Sequence, residues 1–75
     1  MLEIMQLFDY GKKFLHENNI CEVVHTERFM EYYNVVLRQV NKESFCIHYS
    51  FWFTEKNFIE RDEYNKDYWM ANQVS

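Results

Sequence analysis

The apolar positions along the chain change period twice. From Leu2 to Glu17, residues Ile4, Leu7, Phe8, Phe14 and Leu15 fall near the i, i+3, i+4, i+7 spacing of an amphipathic helix, and Lys12, Lys13 and Glu17 fall off that stripe. Gly11 weakens such a helix by about 1 kcal/mol relative to alanine. The Asn18-Asn19 pair marks its end, because asparagine tolerates the left-handed backbone that closes helices. The spacing therefore predicts an N-terminal helix.

The middle of the chain has a period of two. Residues 29–40 (FMEYYNVVLRQV) and 44–54 (SFCIHYSFWFT) are rich in the β-branched and aromatic types that strands favour. In the second run Phe45, Ile47, Tyr49, Phe51 and Phe53 share one face, and Ser44, Cys46, His48, Ser50, Trp52 and Thr54 share the other. In the first run Phe29, Tyr33, Val35 and Leu37 make the matching apolar set, with Tyr32, Asn34, Val36 and Arg38 facing away. A hairpin through Asn41-Lys42-Glu43 then pairs Leu37 with Ile47, Val35 with Tyr49 and Tyr33 with Phe51. The same pairing sets Tyr32 opposite Trp52 and Val36 opposite His48. The loop lacks the glycine usual at its left-handed position.

Residues 20–27 (ICEVVHTE) admit two readings. Asn19 and Glu22 match a capping box that opens a helix, whereas Val23, Val24 and Thr26 favour a short strand beside the hairpin. The strand is the preferred reading. Near the C-terminus, Asn57 and Glu60 repeat the capping box, and Asp62 with Lys66 forms a supportive i, i+4 pair. These predict a helix over about 58–70. The expected fold is a single α+β domain over residues 1–75: an N-terminal helix, an antiparallel sheet of two to three strands containing the central β-hairpin (about 29–40 and 44–54), and a C-terminal helix, with helices on one sheet face.

Composition narrows the function classes. A chain of 75 residues makes one core. Its 48% apolar and 20% aromatic content is too high for a disordered tail. No apolar run approaches the roughly 18 residues of a membrane span, and the opening MLEIMQLFDYGKK lacks a basic leader with a cleavage site. The expected compartment is the cytoplasm, with reduced thiols. Gly, Ala, Pro and Arg together supply five residues, against 33 from Phe, Tyr, Met, Ile, Asn and Lys. That skew follows A/T-rich codons and suits a bacterial, phage or mobile-element reading frame; for a phage protein the compartment would be the host cytoplasm.

Candidate chemistry is sparse. His16, Cys21, His25, Cys46 and His48 are the possible soft-metal ligands, and Cys21, His25, Cys46 and His48 make the best zinc set. They lack the paired cysteine spacing of a zinc knuckle, so buried thiols and ordinary histidines are the simpler reading, and no cofactor is expected. Cys46 and His48 share a strand face but stand about 7 Å apart, too far for direct proton transfer. The one glycine leaves no loop to cradle phosphate or an oxyanion, so no enzyme activity is expected.

Aromatic residues on a sheet can stack bases, yet the net charge of −4 repels phosphate, and residues 43–75 hold six acids against three bases. Nucleic acid is therefore disfavoured. The remaining feature is an aromatic surface flanked by acids: Tyr32, His48 and Trp52 on the outer sheet face, with Tyr64, Tyr68, Trp69, Asp62, Glu63 and Asp67 from the C-terminal segment. Tyr and Trp are enriched at binding hot spots. This pattern predicts a module that binds a protein target with a basic surface, acting by occlusion. A homodimer through the outer face is the second reading, and a zinc-stabilised adaptor the third.

Overall fold

A computed structural model describes residues 4–40 and 47–74. The chain folds as α1 (Ile4–Leu7), β1 (Lys13–His16), β2 (Asn19–Phe29), β3 (Tyr32–Gln39), β4 (His48–Thr54), α2 (Glu55–Glu60), α3 (Lys66–Ala71) and β5 (Gln73–Val74). It is a small α+β domain with a five-stranded antiparallel sheet in the order β4-β3-β2-β1-β5. The sheet is larger than the two to three strands expected, and the helices are shorter.

The first correction concerns residues 2–17. Among the described residues of this stretch helix is confined to α1, and Lys13–His16 is a strand with Phe14 and His16 buried and Lys13 and Leu15 exposed. Gly11 takes φ +81 and directs the chain into β1; its N–H donates to Val23 O (2.9 Å), and Val23 N–H donates back to Lys12 O (2.9 Å). In the turn after β1 the left-handed residues are Glu17 (φ 49) and Asn18 (φ 65), between the paired His16 and Asn19. Two successive positive φ values make a tight hairpin turn with the twist that strands prefer. The asparagine signal thus turns a hairpin instead of closing a helix. A Cβ at Gly11 would meet nothing within 4 Å. Gly11→Ala is therefore expected to lower stability by about 1–2 kcal/mol through backbone strain alone, with Gly11→Asn milder, as thermal melts would read.

The segment 20–27 is strand, within a β2 longer than expected. Between Val23 and His25 the register with β3 shifts by a bulge. Before it, Cys21 and Val23 point to the core; after it, Thr26 does so, its Oγ1 hydrogen-bonded to Met5 Sδ at 3.1 Å. Phe29 consequently belongs to the end of β2 and is 61% exposed, not a member of the core set.

β3 and β4 pair antiparallel with the expected faces but a register displaced by two residues: Leu37 faces Tyr49, Val35 faces Phe51 and Tyr33 faces Phe53. An even shift preserves every side chain's face, so the alternating pattern permits it. The displacement stacks Phe53 on Tyr33 (ring centroids 5.7 Å apart) and on Phe58 of α2 (4.5 Å). It also moves Ile47 opposite Gln39, at the sheet's end, where Ile47 is half-exposed instead of covered. The proposed Asn41-Lys42-Glu43 turn, with Ser44, Phe45 and Cys46, lies outside the described residues.

The single helix expected over 58–70 is two helices. Thr54, not Asn57, caps α2, accepting from Asn57 N–H, and Asn65 caps α3, accepting from Tyr68 N–H. Asn57 instead closes α2, its carbonyl accepting from Arg61 and Asp62 N–H. Packing gives the reason for the break. Phe8 touches both Phe58 (5.7 Å) and Trp69 (5.5 Å). Those residues would stand about 16 Å apart along one straight helix, too far for one phenyl ring to meet both. The helices lie on the face carrying Phe14, Val23, Val35, Leu37 and Phe53, and the core sits between the two layers.

Candidate functional site

The helices cover one face of the sheet, and among the described residues none of them lies on the opposite face. It is built from alternate residues of β2, β3 and β4, among them Phe29, Tyr32 and Trp52, which are 61%, 44% and 59% exposed. Tyr32 pairs with Thr54 and Trp52 with Asn34. Tyr32 and Trp52 are therefore diagonal neighbours, about 7–8 Å apart, where the sequence placed them directly opposite. Asn34 is buried beside them, its Nδ2 donating to Ser50 Oγ and to Phe51 O, both at 3.1 Å. That amide pins β3 to β4 at the centre of the aromatic group.

Val36 faces Ser50, while His48 faces Arg38, whose guanidinium meets Glu22 Oε1 at 2.6 Å. A polar row thus crosses β2, β3 and β4 at one end of the face. His25 and Glu27 make a second, exposed pair at 3.4 Å.

The C-terminal candidates divide between surface and core. Trp69 is 1% exposed and stands in the core, its Nε1–H donating to Tyr64 O at 2.9 Å, so it is not a surface residue. Tyr64 and Tyr68 are half-buried, packed against the core. Asp67 is exposed in the first turn of α3. Asp62 and Glu63, in the link between the helices, come next to β4. With Phe51, Trp52, Phe53, Tyr64 and Trp69 they line a cavity of about 240 Å³. The fold thereby gathers Trp52, Asp62, Glu63 and Tyr64 around the buried Trp69, while Asp67 lies outside the cavity lining.

A wider cleft of about 440 Å³ lies where the β2–β3 hairpin meets α2, lined by Arg28, Glu31, Tyr33, Lys56, Ile59 and Glu60 among others. Arg28 lies over the Tyr33 ring, 5.4 Å from its centroid. Charges of both signs line this cleft without a convergent set.

The zinc set is dispersed. Cys21 is fully buried, and burial pushes its thiol above the ordinary range, which opposes the thiolate a metal needs. His25 is exposed on the opposite face because of the bulge. Cys46 lies outside the described residues, and among the described residues no three His, Cys, Asp or Glu side chains converge as metal ligands.

His16 is the functional group whose surroundings the sequence did not disclose. It is 2% exposed, ringed by Tyr49, Phe51, Tyr64, Tyr68 and Trp69 at centroid distances of 4.8–5.9 Å. Its Nδ1 and the Tyr68 hydroxyl share a hydrogen bond of 2.8 Å. Burial lowers the imidazole below its ordinary value of 6.5, against a smaller opposing pull from Glu17. The folded state therefore holds His16 neutral while the unfolded chain begins to bind a proton near pH 6.5. Stability from this group is complete above that pH and falls as pH drops toward the lower folded value. Urea midpoints are expected to decline below about pH 6.5, and His16→Phe should flatten that acid limb.

Among the described residues, no helix is long and apolar enough to cross a membrane. Comparison with protein-family models, curated proteins and solved structures yields no match.

Proposed function

We propose that this chain is a protein-binding module that occludes a basic functional surface of its target. The observation that carries the reading is the uncovered sheet face bearing Phe29, Tyr32 and Trp52, large aromatic residues held in solvent by a well-packed opposite layer. Exposed aromatic groups of this kind mark interaction sites more often than an isolated exposed leucine does. Asp62 and Glu63 stand beside Trp52, and the chain carries a net charge of −4, which favours a partner with a basic rim. The A/T-codon skew fits an origin in a phage or mobile element, with a host enzyme or defence complex as target. The compartment in this reading is the cytoplasm.

The test is capture of the partner from the native host, followed by substitution. Trp52→Ala is expected to weaken capture at least about tenfold, as hot-spot tryptophans do. Its melting temperature should stay within a few degrees of the parent, since Trp52 is 59% exposed. Unchanged capture by a Trp52→Ala, Tyr32→Ala double variant would sink the reading. Light scattering separates it from the homodimer, which predicts twice the monomer mass in the absence of any partner.

A further inference from the structure

Among the described residues, β4 is the outermost strand of the sheet and pairs with β3 alone. Gln39 N–H donates to Ile47 O at 3.2 Å, which makes Gln39 and Ile47 a hydrogen-bonded pair. In an antiparallel ladder such pairs alternate, so Leu37/Tyr49, Val35/Phe51 and Tyr33/Phe53 are hydrogen-bonded in turn. The backbone N–H and C=O groups of His48, Ser50 and Trp52 therefore point away from the sheet. Unpaired strand edges are templates for a further strand. Beside this one lies the cavity of about 240 Å³ with Asp62 and Glu63 on its wall. It is smaller than the roughly 300–1,000 Å³ of small-molecule sites, and it suits a single long side chain.

The geometry points to β4 as the place where an extended, basic peptide segment of the partner adds a sixth strand. Side chains of an added strand alternate between faces. Those on the helix side meet Asp62 and Glu63, and those on the other side lie along Trp52. The segment that fits alternates Lys or Arg with apolar residues. A second copy of this chain fits poorly, because each copy brings a net charge of −4 and its own Asp62 and Glu63 to the junction. This assignment rests on the protein-binding reading above and specifies the partner's chemistry.

The test titrates the isotope-labelled protein with a blocked hexapeptide of alternating Lys and Val, following backbone amide signals. Shifts concentrated on His48, Ser50 and Trp52 are expected. They should be lost when alternate peptide nitrogens are methylated, and when Glu replaces Lys. The Asp62→Asn, Glu63→Gln double variant should weaken binding about two- to fivefold for each charge removed. The assignment is overturned by no shift on β4, by equal shifts with the Glu peptide, or by a free chain already dimeric through protected β4 amides. Shifts confined to Phe29, Tyr32 and His25 also overturn it, yet leave docking on the sheet face standing.

Discussion

Trp69→Ala lowers the unfolding free energy by about 3–5 kcal/mol, the range for deleting a buried aromatic side chain. Trp69 is 1% exposed and lies within 5.5 Å, centroid to centroid, of Phe8, Phe14, His16, Phe51 and Tyr68. Removing it opens a void among α3, β1, β4 and the Phe8 ring. Small domains sit near the lower end of the usual 5–15 kcal/mol of stability (about 0.05–0.15 per residue), so the variant should be largely unfolded at 37 °C. Trp69→Phe keeps most of the ring and loses the N–H that Tyr64 O accepts; a loss of about 1–3 kcal/mol is expected from the unpaired carbonyl and reduced volume. Urea unfolding followed by far-UV dichroism separates the two, and an unchanged midpoint for Trp69→Ala would contradict the core placement.

The second large effect is at Phe8. Its ring meets Phe14, Phe53, Phe58 and Trp69 at 5.4–6.2 Å, joining β1, β4, α2 and α3. Phe8→Ala is expected to remove about 3–5 kcal/mol, and Phe8→Leu about 1–2. Since Phe8 and Trp69 share one contact, their alanine substitutions should not add; a coupling of about 0.5–3 kcal/mol is expected from the double-mutant cycle. Strict additivity would show that the two rings report on separate regions.

Much of the fold was legible where side-chain contrast was strong. Around Tyr49-Ser50-Phe51-Trp52-Phe53 the alternation assigns faces unambiguously, and the core side and exposed Trp52 follow from it. Period two determines face but not register, so the two-residue displacement against β3 was beyond its reach. The N-terminal error has a different origin. Leu7, Phe8, Phe14 and Leu15 satisfy a helical stripe, yet Phe14 and Leu15 point to opposite faces of a strand. Only the left-handed Gly11, Glu17 and Asn18 reveal the turns, and two of those carry no glycine.

Within the candidate site, Trp52, Tyr32, Asp62 and Glu63 were identifiable from residue type. Trp69 was not separable from them, because its inward direction depends on the break between α2 and α3. The bulge in β2 left no compositional trace, and with it went the separation of Cys21 from His25. His16 was visible only as one histidine among three, because its aromatic cage draws on β4 and α3, far away in sequence.

At Thr54 the last residue of β4 is also the cap of α2, with no intervening linker. The sheet's rim and the helical layer are consequently in mechanical series without slack. Any load that twists or peels the rim is delivered straight to Phe58 in the interior. Release of that strand and loosening of the adjoining helix then form a single cooperative event instead of local fraying.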